Sequence, residues 1–217
     1  MFRLRHLMTL LALAASLLYA APAPAQTIID EWSSIKAPPA PELKQVTVDA
    51  KTTALLVMDL VKQTCNNERR PRCVASIPKI EKLLAAARAK DMMLVYTSVV
   101  SIPITDTLPA VAPKGNEPVV VATVDKFILG DKDTGLEKML KDKGITSVVA
   151  VGTAAHGAVL YTSSAAALRG FNVIVPVDGM SGDGQIDYIE QAVAYILTHA
   201  PILSPKVTLT RIDMIKF

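Results

Sequence analysis

The sequence predicts an α/β fold: a three-layer, doubly wound, mostly parallel sheet with helices on both faces. Three observations predict it. Strand-length runs such as Thr53–Met58, Ser147–Val151 and Asn172–Val177 are apolar throughout, as strands covered on both faces must be. Segments with helical spacing of apolar residues separate them. The 217 residues are 51% hydrophobic and 20% charged, which suits one domain with a full core and excludes a disordered chain.

The elements follow in order. Arg3 and Arg5 precede the uncharged run Leu7–Ala20, and Ala23-Pro24-Ala25 follows. A charged start, a short apolar stretch and an A-x-A site form the pattern of a secretory signal peptide, here residues 1–25, cut before Gln26. The run is shorter than the roughly 20 residues a membrane span needs; an uncleaved anchor is the alternative. The expected product is exported, periplasmic or secreted, and free of the membrane after cleavage. A Pro-containing arm, 26–51, leads into a domain spanning 52–217.

Thr53–Met58 is the first strand. Ser76 suits the N-cap of a helix that carries Ile80, Leu83, Leu84 and Ala87 on one face. Met92–Thr97 reads as a strand, Ser101–Pro118 as a loop, and Val119–Val124 as a strand. A helix over Leu136–Lys143 stops at Gly144, where glycine can take the left-handed capping conformation. Ser147–Val151 is a strand closed by Gly152. Gly157–Leu168 holds no charge, so a helix buried on nearly every side is expected. The strand Asn172–Val177, a helix with Ile186, Ile189, Val193 and Ile196 on one face, and the strand Val207–Ile212 complete the chain.

Formal net charge is +3, from 23 basic and 20 acidic residues. Setting aside Arg3 and Arg5 leaves 21 against 20. No basic patch is interleaved with aromatics, so nucleic acid is not an expected partner. Cys65 and Cys73 lie in a polar loop. In an exported chain they read as a local disulfide, worth about 2 to 3 kcal/mol in the chain-entropy model; free thiols are the alternative. His156 and His199 are the only histidines beyond residue 25, too few for a multi-histidine metal site. No metal or cofactor is expected. Gly152-Thr-Ala-Ala-His-Gly157 lacks the phosphate-loop lysine and the dinucleotide glycine spacing.

Ligands of open parallel sheets bind beyond the carboxyl ends of the strands, at the topological switch point. Asp59, Asp125, Lys126 and Asp178 each lie just past such an end, and Gly152 opens a small-residue turn leading to His156. A carboxylate and an ammonium in a partly dry cleft can move protons. Strand-end acids also cap loops and helices, and composition leaves both readings open.

These residues, in this order, resemble the isochorismatase-like hydrolase superfamily of cysteine hydrolases, which has a Rossmann-like fold. Thr53–Asp59 resembles its first strand with the catalytic Asp. Asp125-Lys126-Phe127, followed by Thr134-Gly-Leu136, resembles the segment bearing its catalytic Lys. Val148–Ala158 resembles the strand and turn that lead to its nucleophile, and Gly170–Asp178 the strand after it. Ala158 stands where the cysteine hydrolases carry their nucleophilic Cys, and Cys65 and Cys73 match no such position, so covalent thiol catalysis is not implied. The loop after Thr97 lacks the metal ligands of nicotinamidases.

Isochorismatases proper also have a small residue at that position, preceded by Ala-His, as Ala155-His156 is here. The resemblance implies Asp59 as general acid or base and Lys126 as its electrostatic partner. It implies backbone amides of Ala154 and Ala158 as an anion hole, and a non-proline cis peptide between Thr153 and Ala154. Thr153, Ala154, Ala155, His156 and Phe127 are the implied substrate-binding residues. Two classes of function compete: a Cys-independent hydrolase of a small molecule, and a non-catalytic small-molecule-binding module of the same fold. Self-association into a homo-oligomer stays open.

Overall fold

The computed structural model describes residues 27–217, so the expected signal peptide lies outside the described residues. Near the start of this range, α1 (Ile28–Glu31) is one turn closed by a capping box between Thr27 and Asp30, two reciprocal bonds that satisfy otherwise orphaned donors. Ile28, Ile29, Trp32 and Ile35 are exposed.

Residues 40–217 form a compact unit of their own. In chain order it contains β1 (Val46–Thr47), β2 (Thr53–Met58), α2 (Pro71–Arg88), β3 (Met93–Val99), β4 (Val119–Ala122), β5 (Ile128–Leu129), β6 (Lys132–Asp133), α3 (Leu136–Asp142), β7 (Ser147–Thr153), α4 (Leu160–Leu168), β8 (Asn172–Pro176), β9 (Met180–Ser181), α5 (Ile189–His199), β10 (Val207–Thr210) and β11 (Ile215–Lys216). The main sheet is ordered β10-β8-β7-β2-β3-β4, and β9 pairs with β7 beyond the end of β8. Every pairing in it is parallel. The chain runs outward from β2 to β4, then restarts at β7 on the other side of β2. The switch point therefore lies between the carboxyl ends of β2 and β7.

Alternation along β2 sorts the core. Ala54, Leu56 and Met58 pack with Leu136 and Leu140 of α3, Val159 of the turn before α4 and Val193 of α5. Leu55 and Val57 pack with Ile80, Leu83 and Leu84 from α2 on the opposite face, as the two-residue period of a strand requires. This is the expected three-layer α/β fold. Residues 46 and 47, within the stretch read as an arm, pair with 215 and 216. No helix among the described residues is long and apolar enough to cross a membrane.

Several element boundaries differ from expectation. The helix α2 starts at Pro71 rather than after Ser76. Proline's fixed φ suits a first helical position, and Ser76 Oγ instead donates back to the Cys73 carbonyl at 2.7 Å. Cys73 is thus in the first turn of the helix, buried and disulfide-bonded to Cys65. The charge-free segment is not one helix buried all round: Ala155–Val159 turns through a kink at Gly157, and α4 exposes Tyr161 and Leu168. Small alanines at 165–167 let α4 approach the sheet, so its larger residues are left on the outer side. The helix α5 buries Val193, Ala194 and Leu197 and exposes Ile196. Ile186 precedes α5, so the apolar face is rotated from the expected one.

Arg88, at the end of α2, donates to Glu117 at 2.7 and 2.9 Å and to Tyr96 Oη at 2.8 Å. Burial pushes the Glu117 carboxyl up, but bonds from Arg88 and the Lys114 amide, with the Arg88 charge, outweigh it and hold it below its ordinary 4.5. A depressed carboxylate stabilises the fold above its unfolded pKa and loses that contribution as pH falls through the folded value. Glu117→Gln is therefore expected to cost about 1 to 2 kcal/mol at neutral pH. Its deficit should shrink below about pH 4.5, the unfolded-state reference, in denaturant melts at several pH values. A deficit independent of pH would contradict this.

Candidate active site

Met58, the last residue of β2, pairs with Thr97 of β3 on one side and Gly152 of β7 on the other. Strand alternation would send the next side chain, Asp59, to the α2 face with Leu55 and Val57. Asp59 has φ +54° instead. That left-handed conformation costs a non-glycine residue about 1 to 3 kcal/mol, and here it accompanies a carboxylate turned toward the Thr97 side of the sheet. Asp59 Oδ1 accepts the Thr97 hydroxyl at 2.7 Å, and Oδ2 accepts Lys126 Nζ at 2.6 Å.

Lys126 is fully buried and Asp59 is 4% exposed. The ammonium also donates to the Thr123 carbonyl at 2.6 Å. Burial pushes the Lys126 ammonium below its usual range, and the adjacent Asp59 carboxylate opposes that shift. The loop carrying Lys126 is fixed from three directions. Asp125 Oδ1 accepts the Phe127 amide at 2.9 Å, and Thr134 Oγ1 donates to the Lys126 carbonyl at 2.7 Å. Thr162 of α4 receives the Lys126 amide at 3.2 Å and donates to the Val124 carbonyl at the same distance.

Across the switch point, Gly152 has φ +137°, and a β-carbon there would stand 2.0 Å from the Met58 carbonyl oxygen. Only glycine permits that approach. The Thr153–Ala154 peptide is cis, as the resemblance implied. Ala155 and Ala158 are buried in the turn that follows, while Ala154 and His156 are partly exposed. Ala158, two residues before the start of α4, belongs to the same buried cluster as Phe127 of the Lys126 loop. The turn and that loop are neighbours: a β-carbon on Gly157 would meet Val124 and Ala154 at 3.7 Å.

The structure thus brings Asp59 and Lys126 into direct contact and sets the turn of Thr153, Ala154, Ala155, His156 and Ala158 next to the loop that carries Lys126. It does not bring Phe127 there. That ring is fully buried, 6.3 Å from Phe171 and beneath the Arg169 guanidinium at 4.6 Å, so it supports the Lys126 loop from within the core. Asp125 caps its own loop. Asp178 accepts the Ile212 amide at 2.9 Å and Lys79 Nζ at 3.0 Å. For these two acids the structural alternative holds; Asp59 differs because its partner is a buried cation.

Thr97 and Thr162 were not singled out from the sequence. Thr97 lies near the carboxyl end of β3, beside the aspartate strand, so the strand-end rule could have found it. Thr162 had no signal, being one hydroxyl in an apolar helix. Among the described residues, no group of three or more His, Cys, Asp or Glu gathers into a metal-binding cluster. A carboxylate and an ammonium held in a dry site suit proton transfer next to a bound small molecule.

A family profile, the isochorismatase domain, matches residues 53–200. No curated protein sequence matches. Several solved structures share the fold. An isochorismatase family protein from Burkholderia thailandensis is 20% identical with a TM-score of 0.62, over 78% of this chain and 95% of that one. A cysteine hydrolase from Pseudomonas syringae pv. phaseolicola 1448A is 16% identical with a TM-score of 0.67, over 80% and 94%. N-carbamoylsarcosine amidase from Thermoplasma acidophilum is 19% identical with a TM-score of 0.61, over 75% and 97%. At these identities the likeness is one of fold.

Removing one partner of a buried ion pair strands the other charge and typically costs about 3 to 5 kcal/mol. Lys126→Met alone should lose stability on that scale. Adding Asp59→Asn should restore part of the loss, giving a non-additive double-mutant cycle in denaturant melts. Strictly additive effects would show that the two side chains do not interact in solution.

Proposed function

Because the chain belongs to the isochorismatase family, we propose that it is a hydrolase of a small molecule that uses Asp59 and Lys126 for acid–base chemistry without a thiol nucleophile. The observation that carries this reading is the Lys126–Asp59 contact of 2.6 Å at the switch point, with an alanine at 158. Asp59 gives a proton to, or takes one from, the bound molecule. Lys126, in contact with that carboxyl group, offsets charge as it develops. The amides of Ala154 and Ala158 are assigned to the oxygen on which negative charge collects, a role independent of side-chain identity. The methyl of Ala158 leaves the volume of a thiol to substrate or water, and Thr153, Ala155 and His156 flank it.

The chain is proposed to act in an exported compartment. The leader pattern of residues 1–25 supports this, and so does the Cys65–Cys73 bond, since structural disulfides persist in oxidising surroundings. The near-complete burial of Asp59 and Lys126, each committed to the other, favours one alternative. In that reading the chain is a binding module in which the pair is purely structural.

One screen decides between them. The purified protein is offered vinyl ethers, amides and lactones, alongside Asp59→Asn. Turnover of one class, reduced about 100-fold or more in the variant, is expected of a general acid or base. Turnover untouched by the substitution would remove Asp59 from the mechanism. A ligand bound without turnover would establish the binding module. Cell fractionation, with an amino terminus at Gln26, checks export; retention in the cytoplasm would contradict it.

A further inference from the structure

A second buried cation stands behind Asp59. Arg70 is 4% exposed, lies inside the loop closed by Cys65 and Cys73, and has no part in the proton chemistry described above. Its Nη1 donates to the Thr64 carbonyl at 2.8 Å, and its Nη2 pairs with Asp183 at 2.7 Å. Its Nε is buried with no hydrogen-bond partner. The Thr64 hydroxyl in turn donates to the carbonyl of Asp59, the residue whose backbone has φ +54°. Arg70 therefore connects three segments: the residues after β2, the first turn of α2, and the stretch after β9 that carries Asp183.

We propose that Arg70 is a positioning residue that acts through Thr64 to hold Asp59 in its left-handed conformation, and that the Cys65–Cys73 disulfide keeps Arg70 in place. This rests on the reading of Asp59 and Lys126 as the working centre.

Three features support it. A guanidinium is costly to bury and is commonly left at the surface unless its bonds serve a purpose. Here a chain of contacts runs from Asp183 through Arg70 and Thr64 to the Asp59 carbonyl, with no gap. The disulfide also pins both ends of the Arg70 segment. The Cys65 amide is bonded to the Val61 carbonyl at 2.9 Å, the Arg70 amide to the Asn66 carbonyl at 2.8 Å, and the Cys73 amide to the Arg70 carbonyl at 2.9 Å. The Arg70 guanidinium is pushed down by burial and drawn back up by Asp183 and Asp59, consistent with its lying within electrostatic reach of the Asp59 carboxylate. Opening the disulfide would then loosen the support of Asp59 rather than the sheet itself.

The test needs no substrate. On the site reading proposed above, the thiol introduced by Ala158→Cys faces Asp59 and Lys126, and its iodoacetamide alkylation rate as a function of pH reports on that pair. An unreactive thiol in this otherwise unaltered chain would overturn the site assignment itself, separately from the role of Arg70. With the reporter reactive, Thr64→Val removes the hydroxyl that donates to the Asp59 and Val61 carbonyls, and Arg70→Met removes the cation. Each should change the rate by about threefold or more, the low end for coupled neighbours, and displace its pH profile.

Arg70→Lys should restore part of the parental profile. The paired change Cys65→Ala and Cys73→Ala should move it in the same direction as Arg70→Met, by less. Arg88→Met, which breaks a remote ion pair, should lower melting temperature without moving the profile. Should Arg70→Met fail to fold, Thr64→Val decides. Profiles superimposable on the parental one in folded Thr64→Val and Arg70→Lys would overturn the proposal.

Discussion

A lysine with no exposed surface keeps its charge at neutral pH most readily with a carboxylate within hydrogen-bonding reach, because a lone buried charge is costly and tends to neutralise. Lys126 meets that demand with Asp59, and much of the carboxyl edge of the sheet follows from it. Asp59 abandons strand alternation and takes a positive φ. Thr97 supplies the second bond to its carboxylate. Gly152 lets β7 come against the Met58 carbonyl, which sets the turn of residues 153–158 next to the Lys126 loop. Asp125, Thr134 and Thr162 hold the loop that delivers Lys126. Energetically the pair is a poor stabiliser beside well-packed apolar residues of the same volume. The acid–base role proposed above would account for that cost.

The fold was legible because β2, β7 and β8 are apolar on both faces, a pattern that only a covered parallel sheet explains. Asp59 and Lys126 were legible as charges at strand ends, and their order along the chain resembles the family pattern. What was not legible depended on geometry that spacing does not encode. The reversal of the Asp59 side chain is a single φ angle. The kinked turn over Ala155–Val159 and the exposed Tyr161 and Leu168 of α4 arise from how closely small residues let that helix approach the sheet. Phe127 adjoins Lys126 in sequence, yet its ring packs in the core against Phe171 and Arg169.

Ala158 stands where the resemblance places the nucleophilic Cys of cysteine hydrolases. Beside that alanine stand the backbone turn, the cis peptide and the Asp59–Lys126 pair. Those parts can serve a reaction in which water completes the displacement, and they can equally bind a ligand without transforming it. The disulfide and Arg70 belong to neither option alone, since they set the backbone on which Asp59 depends.

The central claim is that the Lys126 ammonium is locked onto Asp59 in a dry site, and side-chain 15N–1H NMR of Lys126 tests it directly. The account predicts a lysine ammonium resonance protected from solvent exchange at neutral pH, which moves and loses protection in Asp59→Asn. A Lys126 signal exchanging as fast as those of surface lysines, and unchanged by that substitution, would contradict it.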